Sequence, residues 1–137
     1  KYFISQGWEI LAFDFPQSGT GTVIHPDFSN EKNKDSIIPD LVAKKGNKGV
    51  LLENKDRFYK DDFNKINILR TTNPYVQGLS QLFGGNIPDN MWYGIGIPDI
   101  ERHKEKSLNL SNLIDILFTV KENGEIFIPY SNPTFTF

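Results

Sequence analysis

Two short apolar runs on either side of Gly46-Asn47-Lys48-Gly49 constrain the fold of this chain most tightly. Residues 37–44 and 50–55 flank that polar, glycine-bounded tetrapeptide, which is a hairpin signal, although Asn-Lys is a weaker turn pair than Asn-Gly. A strand has a side-chain period of two, so Glu53 and Lys55 project from one face while Leu52 and Asn54 project from the other. Whether Asp40 joins them depends on register. Pairing Gly46 with Gly49 around a two-residue turn sets Asp40 opposite Lys55 and diagonal to Glu53. A four-residue turn over 45–48 sets Asp40 directly across from Glu53. Both registers leave Asp40, Glu53 and Lys55 on one face.

The rest of the chain supplies partners for that hairpin. Residues 8–15 alternate as a strand with at least one buried face, and Gly7 before them suits the end of a short helix. Ser18-Gly19-Thr20-Gly21 is a turn and residues 30–36 a polar loop. Residues 61–69 (DDFNKINIL) carry Phe63, Ile66 and Leu69 on one helical stripe, with Asp61 or Asp62 suited to the helix start. A second helix is expected over 75–83, ended by Gly84-Gly85. Residues 91–97 read as a strand closed by Pro98, and 101–106 as a charged loop or helical turn. Residues 113–120 and 125–130 form a hairpin across Asn123-Gly124, with Asp115 as the outward residue of an edge strand. Strand, hairpin, helices, strand, hairpin predicts a mixed α/β domain around one central sheet. A length of 137 residues suits a single domain spanning 1–137.

Composition narrows the chemistry. Without cysteine there is no disulfide framework, thiolate nucleophile or Cys-based metal site. His25 and His103 are far apart, so zinc chemistry lacks its ligands, and His25 reads as a loop or strand-end residue. Residues 1–15 contain no apolar stretch resembling a signal-peptide core, and the longest uncharged stretch, 71–88, is too polar to span a membrane. A cysteine-free chain rich in Lys, Asn and Ile fits a microbial cytoplasm. The opening residues 1–7 read as the end of an element already under way, so an N-terminal helical part is expected upstream. The formal charge of −2 excludes a protein coated in positive charge. By segment, however, residues 44–60 hold six basic residues and two acids, while residues 9–40 are acidic.

Two carboxylates converging at the end of a buried hairpin repel unless a proton or cation lies between them. Hard oxygen ligands with retained waters suit Mg²⁺, which takes one or two protein carboxylates and can polarise a phosphoryl oxygen. A nearby Lys55 would orient the attacking water or neutralise developing charge. The bland alternative is a surface hairpin with a cross-strand ion pair worth ~0.2–1 kcal/mol.

Pro39-Asp40, twelve intervening residues, then Glu53-Asn54-Lys55 resembles the PD-(D/E)xK signature of restriction-endonuclease-like nucleases. The match covers residues 37–55 directly and 8 through the 75–83 helix by element order. The resemblance implies a restriction-endonuclease-like mixed central β-sheet flanked by helices. It also implies a Mg²⁺-dependent endodeoxyribonuclease leaving a 5′-phosphate and a 3′-hydroxyl. Asp40 and Glu53 would be Mg²⁺ ligands with the backbone carbonyl of Asn54, and Lys55 would act on the attacking water. Some members place a glutamine on the following helix; Gln77 is preferred over Gln81 because it lies at the helix start. Many carry another acid on a helix before the first strand. Here Glu9 is the nearest acid but lies on the predicted strand, so that equivalent is either Glu9 or a residue upstream.

Lys44, Lys45, Lys48, Arg57 and Lys60 are the candidate DNA-phosphate contacts, offset in part by Asp56, Asp61 and Asp62. Trp92 and Tyr93 are candidate base-stacking residues, one at least being core. A restriction enzyme is the leading expectation, and double-strand cleavage with one site per chain favours a homodimer. The alternatives are a junction resolvase, repair nuclease or nuclease toxin domain of the same fold, or a non-catalytic DNA-binding or assembly module.

Overall fold

The computed structural model describes residues 1–14, 24, 27 and 37–137. The turn at Ser18-Gly19-Thr20-Gly21, His25 and the polar loop 30–36 lie outside these. The described residues form four helices and six strands. In chain order they are α1 (Tyr2–Ser5), β1 (Glu9–Phe13), β2 (Leu41–Lys45), β3 (Lys48–Asn54), α2 (Lys60–Thr71), α3 (Val76–Leu82), β4 (Asn90–Pro98), α4 (Glu101–Leu108), β5 (Ile116–Val120) and β6 (Ile126–Ser131). The strands run β1-β2-β3-β4-β5-β6 in a mixed sheet, antiparallel for β1/β2 and β5/β6 and parallel for β4/β5. The expected mixed α/β class is therefore observed. The described residues divide into two compact units: Lys1–Leu51 with Thr72–Met91, and Leu52–Thr71 with Trp92–Phe137.

In the first unit, α1 is a single turn that stops at Gly7, whose φ of +87° a side chain would strain. The Trp8 N–H donates to the Phe3 carbonyl (3.0 Å), and the two buried rings meet edge to face at 5.6 Å. The Lys45 ammonium donates to the Gln6 carbonyl (2.7 Å), satisfying a helix-end acceptor. β1 pairs with β2 in the register Glu9↔Lys44, Ile10↔Ala43, Ala12↔Val42 and Phe13↔Leu41, with an irregularity at Leu11. An Asp14 N–H to Asp40 carbonyl bond (3.1 Å) continues that pairing one step further. The hairpin turn is Gly46-Asn47, one residue earlier than the two-residue alternative and at the centre of the four-residue alternative over 45–48, with Gly46 supplying the positive φ (+60°) at its first position. Helix α3 begins where the Asp27 carboxylate accepts the N–H groups of Val76 (3.1 Å) and Gln77 (2.8 Å). Val42, Ala43, Val50, Leu51, Tyr75 and Leu79 form much of this unit's core.

In the second unit, α2 buries Phe63, Ile66 and Leu69, the stripe read from the sequence. β4 is buried from Trp92 through Ile97, consistent with a strand covered on both faces. Its parallel neighbour β5 requires a crossover, and residues 101–106, read as a loop or helical turn, are accordingly part of a helix of two turns, α4. The β5–β6 hairpin is present across Asn123-Gly124, but its first strand starts at Ile116 rather than 113.

That shorter strand changes the place of Asp115. Instead of facing outward from an edge, it is buried just before β5. Its carboxylate accepts from the Tyr93 N–H (3.0 Å), Arg70 (3.4 Å) and the Asn132 amide (3.3 Å). Arg70, from the last turn of α2, also donates to the carbonyls of Ile114 (3.1 Å) and Asn112 (2.6 Å). A buried carboxylate is tolerable when so fully paired. Trp92 and Tyr93 are both buried, so both serve the core. Trp92 donates its indole N–H to Thr134 (3.0 Å) and meets the Phe135 ring edge to face. Among the described residues, no helix is long and apolar enough to cross a membrane.

Candidate active site

The second unit carries the Glu53-Asn54-Lys55 part of the motif. β3 enters it at the buried Leu52, and Glu53 follows at 6% exposure. Asn54, the next residue, is exposed and ends the buried run. The Lys55 N–H donates to the Gly96 carbonyl (2.8 Å), which fixes the backbone just beyond β3 against β4. The Lys55 ammonium lies 3.4 Å from the Asp62 carboxylate in the first turn of α2. By sequence Asp62 is a helix-start acid. No short-range pattern links it to Lys55, and folding of the intervening loop brings them together.

The connecting loop and the start of α2 hold two further basic candidates. Arg57 is exposed, 3.4 Å from Asp56 and 5.5 Å from the centre of the Tyr59 ring. The hydrogen bond to Asp56, helped by the charges of Tyr59 and Asp56, raises the guanidinium pKa above its already high ordinary value. Lys60 is exposed at the first position of α2. The Phe58 N–H in this loop donates to His103 Nδ1 (3.3 Å), tying the loop to α4.

The first unit carries the remaining candidates. Asp40 is half-buried immediately before β2, its backbone held by Asp14, and Pro39 beside it is buried. Lys44 pairs with Glu9 (3.7 Å), the residues directly opposite it on β1, and Lys45 is held by Gln6. Glu9 is thus a strand residue in a cross-strand ion pair. Lys48 opens β3. Gln77 is exposed in the first turn of α3, and Gln81 is exposed near the end of the same helix.

The structure therefore gathers Glu53, Asn54, Lys55 and Asp62 around the end of β3, within one unit. Asp40, Lys44, Lys45, Lys48 and Gln77 belong to the other. Among the described residues, no three His, Cys, Asp or Glu side chains come together as a metal cluster. A donor set of one or two carboxylates with a backbone carbonyl still fits Mg²⁺, which fills its other positions with water. Glu53 and the Asn54 carbonyl have the required hard-oxygen chemistry. No protein-family model, curated protein or solved structure matches the chain.

Proposed function

We propose that this chain is a Mg²⁺-dependent endodeoxyribonuclease of the restriction-endonuclease-like kind, hydrolysing DNA phosphodiester bonds in a restriction system. The burial of Glu53 carries this reading. A surface hairpin with an ordinary ion pair leaves its carboxylate in water, whereas Glu53 is nearly inaccessible at the end of an apolar strand. A carboxylate held there, at the motif's position, offers a hard oxygen in a largely water-excluded setting, which suits a Mg²⁺ ligand. The order of three strands followed by helices supports assigning the mixed sheet to that fold.

Glu53 and the Asn54 carbonyl would hold Mg²⁺, with Asp40 as second carboxylate on the strength of the motif. Bound there, the ion would supply Lewis-acid polarisation of the scissile phosphate and a more acidic water. Lys55 orients the attacking water and offsets charge developing on the phosphoryl oxygens. Gln77 is a further candidate for the reacting phosphate. Lys44, Lys45, Lys48, Arg57 and Lys60 are candidates for the DNA backbone, and a homodimer would allow both strands to be cut.

The test is cleavage of supercoiled plasmid with Mg²⁺, with EDTA, and by the Glu53→Ala and Lys55→Ala variants. Cleavage that needs Mg²⁺ and falls by about 10²-fold or more in each variant is expected. Discrete fragments would favour a restriction enzyme over a repair nuclease or toxin domain. DNA binding without cleavage, or cleavage indifferent to both substitutions, would overturn the assignment.

A further inference from the structure

We propose that Asp62 is a positioning residue for Lys55, holding its ammonium in place for phosphodiester hydrolysis; this rests on the nuclease reading of Glu53 and Lys55. A lysine ammonium is a compact charge on a flexible four-carbon stem, so its position must be imposed by its surroundings. Here it is imposed at both ends. The Lys55 backbone N–H is bound to Gly96 (2.8 Å), and its ammonium is 3.4 Å from the Asp62 carboxylate.

Asp62 is well placed to be the fixed partner. Its side chain is 16% exposed, and its own N–H donates to the Tyr59 carbonyl (3.2 Å). The neighbouring Phe63 anchors that turn of α2 in the core. A carboxylate in the first turn of a helix is favoured by the backbone dipoles. Asp56, closer to Lys55 in sequence, pairs with Arg57 instead. One interaction with Asp62 leaves two of the ammonium's three N–H donors for water or phosphate.

The experiment compares plasmid cleavage by the wild-type chain, Asp62→Asn, Asp62→Glu, Lys55→Ala and the double variant Lys55→Ala/Asp62→Asn. Binding of a fluorescent duplex in Ca²⁺ and thermal midpoints are measured alongside. Asp62→Asn is expected to lower kcat by about 10²-fold, the scale of loss when a catalytic group is misplaced. KM and duplex affinity should stay unchanged or tighten, since a negative charge is removed. Asp62→Glu should recover part of the rate, and the double variant should be no slower than Lys55→Ala alone. An undiminished kcat in Asp62→Asn overturns the proposal. So does a loss that multiplies with that of Lys55→Ala, or equal losses in both Asp62 variants tracking a lower thermal midpoint. Cleavage abolished by Glu53→Ala sustains the nuclease reading even if Asp62 proves idle, whereas a wild-type chain that does not cleave overturns both.

Discussion

The backbone N–H of Lys55 donates to the carbonyl of Gly96 at 2.8 Å, beneath the side chain of Asn54. A Cβ at position 96 would lie 2.5 Å from Asn54 Oδ1, a side-chain atom rather than backbone. Two strand positions earlier, a Cβ on Gly94 would meet the Ile116 carbonyl at 2.6 Å and Leu52 at 2.9 Å. A side chain can rotate away but a paired strand backbone cannot. Gly94→Ala is expected to cost about 1–3 kcal/mol through overpacking, and Gly96→Ala about 1 kcal/mol or less. Urea midpoints at constant m-value measure both.

Asp115 should be among the most sensitive positions outside the candidate site. Asp115→Ala removes the acceptor for Tyr93, Arg70 and Asn132 at once, leaving the Tyr93 N–H buried without it. Breaking such a pair costs about 3–5 kcal/mol. Asp115→Asn, which keeps an acceptor oxygen, should cost less. Chemical denaturation distinguishes the two, and equal midpoints would argue that the network contributes little.

Stability should fall in strong alkali through Tyr93. Burial, and then the charge of Asp115, pushes its hydroxyl pKa up to about 12 from an ordinary 10.0. The unfolded chain therefore releases this proton first as pH rises. The stabilisation is intact below pH ~10 and is lost as pH climbs toward ~12, amounting to about 2–3 kcal/mol. Tyr93→Phe should flatten the stability curve over that interval, as followed by denaturant titration at several pH values.

Salt dependence should separate the basic residues. Arg57 and Lys60 are exposed, whereas Lys45 already donates to Gln6. If the DNA backbone lies against the loop before α2, Arg57→Ala and Lys60→Ala should each reduce the slope of log K against log salt by about 1. Lys45→Ala should reduce the slope by less, because its ammonium is already engaged by Gln6, and should also loosen the α1 end. Duplex binding in Ca²⁺ at several salt concentrations measures this, and identical slopes for all three variants would refute it.

Sequence alone determined what acts over a few residues. The Phe63, Ile66, Leu69 stripe specified α2, and Asn123-Gly124 specified a hairpin. Gly46 and Asn47 belonged to the expected turn region, but which pair made the turn depended on where the positive φ fell. Tertiary structure decided the rest. Residues 101–106 became part of a two-turn helix because parallel strands need a long crossover. Asp115 turned inward because Arg70, 45 residues away, and Tyr93 converged on it. Lys55 acquired Asp62 because α2 folds back toward the end of β3. Periodicity and turn chemistry are local properties of the chain, whereas burial and ion pairing depend on which distant residues arrive, and no local pattern encodes that.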